Sequence, residues 1–324
     1  MKENYWQDRP VFITGCTGLL GSWLAQSLVD RGASVVGLVR DCTPGSFFYE
    51  SGLDNRITTV RGEIEDYDLV ERAINEYEIE SVFHLGAQTI VTIANRSPLA
   101  TFRSNIQGTW NILEACRQIP TVKKIVVASS DKAYGDQKHL PYTEDTPLEG
   151  RHPYDVSKSC ADLICRSYFE TYGLPVCVTR CGNLYGAGDL NFNRIIPGTI
   201  RSLCRGERPV IRSNGTFLRD YFYVTDAANA YIHLAEMMEE KTIHGEAFNF
   251  STESPKTVLE VVSMITALMG STLEPVIQNV AVNEIKDQYL SSKKARDLLK
   301  WSAQYSFEES LKETIGWYKK YLDI

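Results

Sequence analysis

Tyr154 and Lys158, four residues apart in Tyr154-Asp-Val-Ser-Lys158, are the pair in this chain best suited to move a proton. Residues at i and i+4 share one face of a helix, so the spacing places phenol and ammonium side by side. A phenol of pKa ~10 is a poor base at neutral pH, and a neighbouring ammonium favours its phenolate, making Tyr154 competent to deprotonate a hydroxyl. The same spacing occurs in ordinary amphipathic helices, so it gains meaning only with partners. One is Ser129-Ser130, at the end of a predicted strand, where Ser130 offers a hydroxyl to the reacting alcohol.

A second pattern supplies a cofactor. Thr14-Gly-Cys-Thr-Gly-Leu-Leu-Gly21 follows a β-branched run and opens a helical one, the context in which a glycine-rich turn brings backbone to a pyrophosphate at a helix N-terminus. Gly15 makes the tight turn, Gly18 admits the phosphates and Gly21 lets helix pack on strand, with Thr17, Leu19 and Leu20 beside them. Tyr154 and Lys158 then gain a further use, Lys158 holding the nicotinamide ribose. At the end of the second predicted strand, Val39 stands where NAD enzymes place an acid, followed by Arg40 and Asp41. Arg40 leans toward a 2′-phosphate and NADP. Almost equally, Arg40 is a solvated charge, Asp41 takes the ribose, and the cofactor is NAD. Glu63 and Ile64 are placed to contact adenine, and Leu85 and Ala87 to line the cofactor; strand-end packing is the alternative for each.

These groups need a scaffold, and the chain has the texture of one. Val11 to Ile13, Ser34 to Val39, Ile57 to Val60, Ser81 to Leu85, Ile125 to Ser129 and Val176 to Thr179 read as strands. Leu19 to Asp30, Leu69 to Tyr77, Leu99 to Arg117 and Tyr154 to Tyr172 read as helices, with Gly32 and Gly173 at helix stops. The alternation predicts an α/β fold, a Rossmann doubly wound parallel sheet over residues 1–180. A smaller C-terminal α/β substrate-binding lobe follows over 181–324, with a segment near 220–250 returning to the first domain.

Composition narrows the partners. The 324 residues are 43% hydrophobic and 23% charged, and the net charge of −7 disfavours nucleic acid and anionic membranes. Eight scattered cysteines without a CxxC pair read as buried small hydrophobes, with neither disulfide framework nor metal site. Met1 to Asp8 has no apolar h-region and no stretch approaches a membrane span, which reads as a cytoplasmic enzyme.

Taken together, the glycine turn, the strand-end serines, Tyr154-x-x-x-Lys158, Arg180-Cys-Gly-Asn-Leu-Tyr-Gly186 and Arg219-Asp-Tyr-Phe-Tyr-Val-Thr-Asp226 resemble the extended short-chain dehydrogenases/reductases that handle nucleotide sugars. Ser129-Ser-Asp-Lys-Ala-Tyr-Gly135 resembles the 4,6-dehydratases among them, those acting on CDP-glucose most, because an acid follows the serine directly. That resemblance implies a tightly bound, recycled NAD(P) that accepts hydride from the sugar C4 and returns it to C6. It implies that Tyr154 deprotonates the 4-hydroxyl, that Asp131 protonates the departing 6-hydroxyl, and that Lys132 takes the C5 proton. For that last role Lys132 must be neutral against a free-lysine pKa of ~10.4, which asks for burial or for the charge of Lys158 nearby. A local ion pair at the strand end is the plain alternative for Asp131 and Lys132. The resemblance further places Asn183, Asn193, Arg194, Arg212 and Arg219 at a nucleotide diphosphate; Gln88 and Thr89, just after the fourth predicted strand, are placed to touch the sugar, with polar loop filler as the alternative. The resemblance also implies a homodimer through the two long helices. The rivals are a 4-epimerase, a dehydratase for another nucleotide sugar, and a non-catalytic dinucleotide sensor that has kept the fold.

Overall fold

The computed structural model describes residues 4–280 and 285–323; the first three residues of the N-terminal stretch read above lie outside them. Its strands begin with β1 (Pro10–Thr14), β2 (Ser34–Val39), β3 (Thr58–Arg61), β4 (Ser81–His84), β5 (Lys124–Ala128), β6 (Val176–Cys181) and β7 (Asn183–Tyr185). They continue with β8 (Val210–Ile211), β9 (Leu218–Arg219), β10 (Tyr221–Tyr223), β11 (Ala247–Phe250), β12 (Lys256–Thr257), β13 (Val276–Ile277) and β14 (Asp287–Gln288).

Side chains alternate along a strand, so a strand buried on both faces feeds two cores. In β1, Val11 and Ile13 join one hydrophobic cluster and Phe12 the other. In β5, Val126 goes to the first and Ile125 and Val127 to the second. The first cluster is covered by the helices Leu19–Asp30 and Val224–Met237, the second by Tyr67–Glu76, Gly108–Gln118 and Pro153–Tyr172. Truncating a ring buried as completely as Phe12 to alanine costs about 3–5 kcal/mol.

Seven strands make one sheet in the order β11-β6-β5-β4-β1-β2-β3, every neighbouring pair parallel. This is the doubly wound sheet anticipated from the alternation. Its order reverses between β1 and β4, which opens a crevice at their carboxyl ends, where such sheets bind ligands. β11 extends the sheet beyond β6. The remaining strands form small sheets in a lobe over that crevice: β10 with β7, β13 with β8, and β12-β9-β14. The helices Val258–Leu268 and Phe307–Tyr321 of this lobe each start from a capping box, Thr257 with Glu260 and Ser306 with Glu309.

The unbroken helix predicted from Leu99 to Arg117 is corrected. The chain runs as Pro98–Phe102, a π-turn Arg103–Gln107, and Gly108–Gln118. The wider turn lets Asn105 leave the ladder: its Nδ2 donates to the Gln88 carbonyl at 3.1 Å and to Ser157 Oγ at 2.9 Å, and its Oδ1 accepts from Gln88 N at 2.7 Å. A side chain bonded sideways in this way ties two helices to the loop after β4. All eight cysteines are free, no three His, Cys, Asp or Glu side chains converge on a metal-sized point among the described residues, and no helix among them is long and apolar enough to cross a membrane.

Candidate active site

A cavity of about 640 Å³ opens at the crevice, walled on one side by the glycine turn and β-strand ends and on the other by the lobe. Gly15 sits at φ 74°, and a Cβ there would lie 2.8 Å from Gly86 N, so only glycine lets the two loops meet. Gly21 brings the helix close against the end of β1. A Cβ at Gly21 would run into the Gly15 carbonyl, so its bareness lets the helix start directly on the turn. The helix Leu19–Asp30 has glycine at its N-cap and no side chain bonding its first N–H groups, which leaves them for an anion. This cradle fits a dinucleotide.

Beneath it, Thr14 Oγ1 accepts from Leu85 N at 3.1 Å and Gly86 N at 3.0 Å and lies 2.8 Å from His84 Nδ1. Burial brings the His84 imidazole down to about 3, so a neutral ring locks the ends of β1 and β4 together.

The proton-handling groups occupy the floor. Ser130 to Lys132 follow β5; Lys132 N donates to Ser130 Oγ at 3.2 Å and Ser130 Oγ to Asp131 Oδ1 at 3.0 Å, which folds the segment into a tight turn aimed at the cavity. Lys132 Nζ lies 3.4 Å from Asp131 Oδ1 and donates to Gln288 Oε1 at 2.6 Å. The strand-end ion pair is thus present, on the cavity wall. The Lys132 side chain is largely buried, at 20% exposure, and Lys158 Nζ donates to the Ala128 carbonyl at 2.7 Å.

Tyr154 is buried with its ring on the same wall. Burial pushes its phenol up to about 12, opposed by the Ser130 hydroxyl beside it. Burial also brings the Lys158 ammonium down to about 8. The expectation that Lys158 holds the phenol below its ordinary value is therefore corrected: desolvation outweighs it for both groups.

Gly15, Thr17, Gly18, Leu19, Leu20, Gly21, Arg40, Ile64, Leu85 and Ala87 all border the cavity, as do Ser130, Asp131, Lys132, Tyr154 and Lys158. From the lobe side come Asn183, Asn193, Arg194, Arg212 and Arg219, and Thr89 stands on the rim. Arg212 Nη2 donates to Asn193 Oδ1 at 3.0 Å, Arg194 pairs with Asp189 at 3.0 Å, and Arg219 Nη1 donates to the Lys286 carbonyl at 2.7 Å. Two candidates lie elsewhere. Glu63 is exposed and off the wall, which Gly62, Ile64 and Glu65 make instead. Gln88 is off it too, because its backbone and side chain are spent on Asn105 and on Ile90 N. Asp41 borders the cavity and binds Arg40 Nε at 2.6 Å. Sequence reasoning missed Gln288, which reaches the floor from β14 with no local motif to announce it.

Sheet order, glycine cradle and a Tyr-Lys-Ser floor define a dinucleotide-binding enzyme of the extended short-chain dehydrogenase/reductase class. Within it, residues 12–314 match the model of the GDP-mannose 4,6 dehydratase family, and the chain belongs to that family. The CDP-glucose 4,6-dehydratase of Salmonella typhimurium is 30% identical over 335 residues, 99% of this chain and 93% of that protein. The UDP-glucose 4-epimerase of Thermotoga maritima with UDP-glucose superposes at TM-score 0.89 with 27% identity, over 97% of this chain and 99% of that one. The dTDP-glucose 4,6-dehydratase of Bacillus anthracis in complex with NAD gives 0.85 and 28%, over 96% of this chain and 97% of that one.

Proposed function

We propose that the protein is a nucleotide-sugar 4,6-dehydratase, a hydro-lyase converting an NDP-hexose, CDP-glucose in the first place, to the 4-keto-6-deoxy sugar nucleotide. The observation that carries this reading is the placement of Asp131 and Lys132 directly after Ser130 on the cavity floor, facing the same space as Tyr154. An epimerase needs only the tyrosine and the cofactor; an acid and a second basic group beside them suit the removal of water.

Bound nicotinamide supplies the hydride chemistry, accepting from C4 and returning to C6, so the reaction is redox-neutral. As its phenolate, which the neighbouring Ser130 hydroxyl favours, Tyr154 accepts the proton of the 4-hydroxyl, with Ser130 holding that oxygen. The C4 ketone acidifies the C5 hydrogen, which Lys132 takes as a proton. With the proton of the Asp131–Lys132 pair resting on Asp131, that carboxyl protonates the 6-hydroxyl, which leaves as water, and Lys132 returns to C5 the proton it took. Asn183, Asn193, Arg194, Arg212 and Arg219 hold the diphosphate and its nucleoside, and Thr89 touches the sugar.

The rim supports NAD as the cofactor. Arg40 leans toward NADP by its charge, yet Asp41 already engages its Nε, and the neutral pair suits the uncharged 2′-hydroxyl of NAD; a 2′-phosphate would meet the Asp41 carboxylate. We propose also that the protein is a homodimer. Leu99, Trp110, Leu163 and Tyr172 are exposed on the two long helical segments, an apolar face for a second copy.

The test is incubation of the purified protein with CDP-glucose, UDP-glucose, dTDP-glucose, UDP-GlcNAc and GDP-mannose separately. Loss of one water, read by mass spectrometry, supports the reading and names the nucleotide. Unchanged mass with an inverted C4 by NMR overturns it in favour of an epimerase.

A further inference from the structure

One buried side chain on the cavity floor has no part in the chemistry above. Gln288 is 1% exposed, borders the cavity, and makes the shortest hydrogen bond that Lys132 Nζ has, 2.6 Å against 3.4 and 3.5 Å to the two Asp131 oxygens. Lysine only donates, so the amide oxygen faces it. The Nε2 of the same amide is buried beside the Tyr142 hydroxyl without a well-formed hydrogen bond among the described residues, so the Lys132 contact is the firm one this side chain makes. The backbone around Gln288 is held firmly. β14 pairs in parallel with β9, Gln288 opposite Arg219; Asp220 N donates to the Gln288 carbonyl at 3.1 Å and Tyr142 N to the Tyr289 carbonyl at 2.9 Å.

Resting on the dehydratase reading, we propose that Gln288 is a positioning residue for water elimination, competing with Asp131 for Lys132 Nζ and keeping that ion pair long, at 3.4 Å, so that the two can part as base and acid. A neutral acceptor fixes where Nζ lies without fixing its charge. A carboxylate in its place would hold the ammonium form, and an apolar side chain would release Nζ to close on Asp131 and consume the acid. Because Gln288 and Arg219 are register partners, a diphosphate gripped by Arg219 steadies the same pair of strands that places Lys132. The charged and titratable groups facing this arrangement are Asp131 on the lysine's own turn, Asp155 on the helix Pro153–Tyr172, Tyr142 on its loop, Arg219 on β9 and Asp220 next to it.

The experiment compares Gln288→Met and Gln288→Glu with the wild type, reading water loss across pH, reduced nicotinamide by absorbance in a single turnover, and thermal stability. Gln288→Met is expected to lower kcat for water loss ~10- to 100-fold with KM within about threefold, while C4 oxidation persists and reduced nicotinamide accumulates. Gln288→Glu, close to isosteric, is expected to move the rising limb of kcat to higher pH, since a carboxylate favours the lysine's charged form. It supplies the answer even if the methionine variant fails to fold. Wild-type kcat and pH profile in Gln288→Glu, or a loss confined to KM in Gln288→Met, would overturn the role of Gln288 alone. A wild type that releases no water from any NDP-hexose would instead overturn the reading on which the role rests.

Discussion

Lys158 lies one turn beyond Tyr154 on the helix Pro153–Tyr172, and its Nζ donates to the Ala128 carbonyl at 2.7 Å, so phenol and ammonium border the same cavity while burial governs each. The phenol is driven up to about 12 and the ammonium down to about 8, both toward their neutral forms.

If Tyr154 takes the 4-hydroxyl proton, Tyr154→Phe removes one oxygen and the reaction with it. The expected loss is ~10³-fold in kcat. Calorimetry should find CDP-glucose binding nearly unchanged, because the lobe residues still hold the diphosphate. Activity within tenfold of wild type would remove Tyr154 from the chemistry.

Lys158 gives a pH signature. Its ammonium falls from an ordinary 10.5 to about 8, so the charged form prevails below about 8 and is lost above it. Activity that depends on that charge is expected to decline as pH rises through about 8. Lys158→Arg, whose guanidinium stays charged, should retain some activity and carry the decline to higher pH. A decline at the same pH in the variant would assign it to another group.

Asp220 controls stability. Burial pushes its carboxyl from 3.8 up to about 7, against the hydrogen bonds of Ser251 and Leu290 N, and Oδ1 has no partner among the described residues. A raised folded pKa means that the folded state holds the proton where the unfolded state has released it, so stability present below 3.8 is lost as pH rises to about 7. Asp220→Asn, always neutral, is expected to flatten Tm against pH across that window and to exceed the wild type at its upper end. Parallel Tm curves would refute it.

Leu163 is 54% exposed on the helix Pro153–Tyr172, a large apolar side chain facing water unless a second copy covers it. Leu163→Glu is expected to convert a dimer to monomer in sedimentation, with the far-ultraviolet spectrum retained. A wild type that sediments as a monomer would contradict the dimer directly.

What the sequence revealed was local. The glycine turn and Tyr154-x-x-x-Lys158 lie within eight and five residues, and the backbone geometry of a turn or a helix converts such spacing directly into a site. Strands β1 and β2 were equally legible from their β-branched runs. The π-turn was hidden because Asn105 leaves its helix for partners at Gln88 and Ser157, which no periodicity encodes. Gln288 was hidden by distance, 156 residues from Lys132, and by belonging to a two-residue strand. Glu63 is exposed while Ile64 and Glu65 border the cavity, and strand ends are where sequence patterns fix direction least.

The dehydratase assignment is tested most directly by CDP-glucose carrying deuterium at C4. The account predicts a product lighter by one water with the deuterium transferred to C6, read by mass spectrometry and NMR. A product of unchanged mass, with deuterium still at C4 and that carbon inverted, would contradict it.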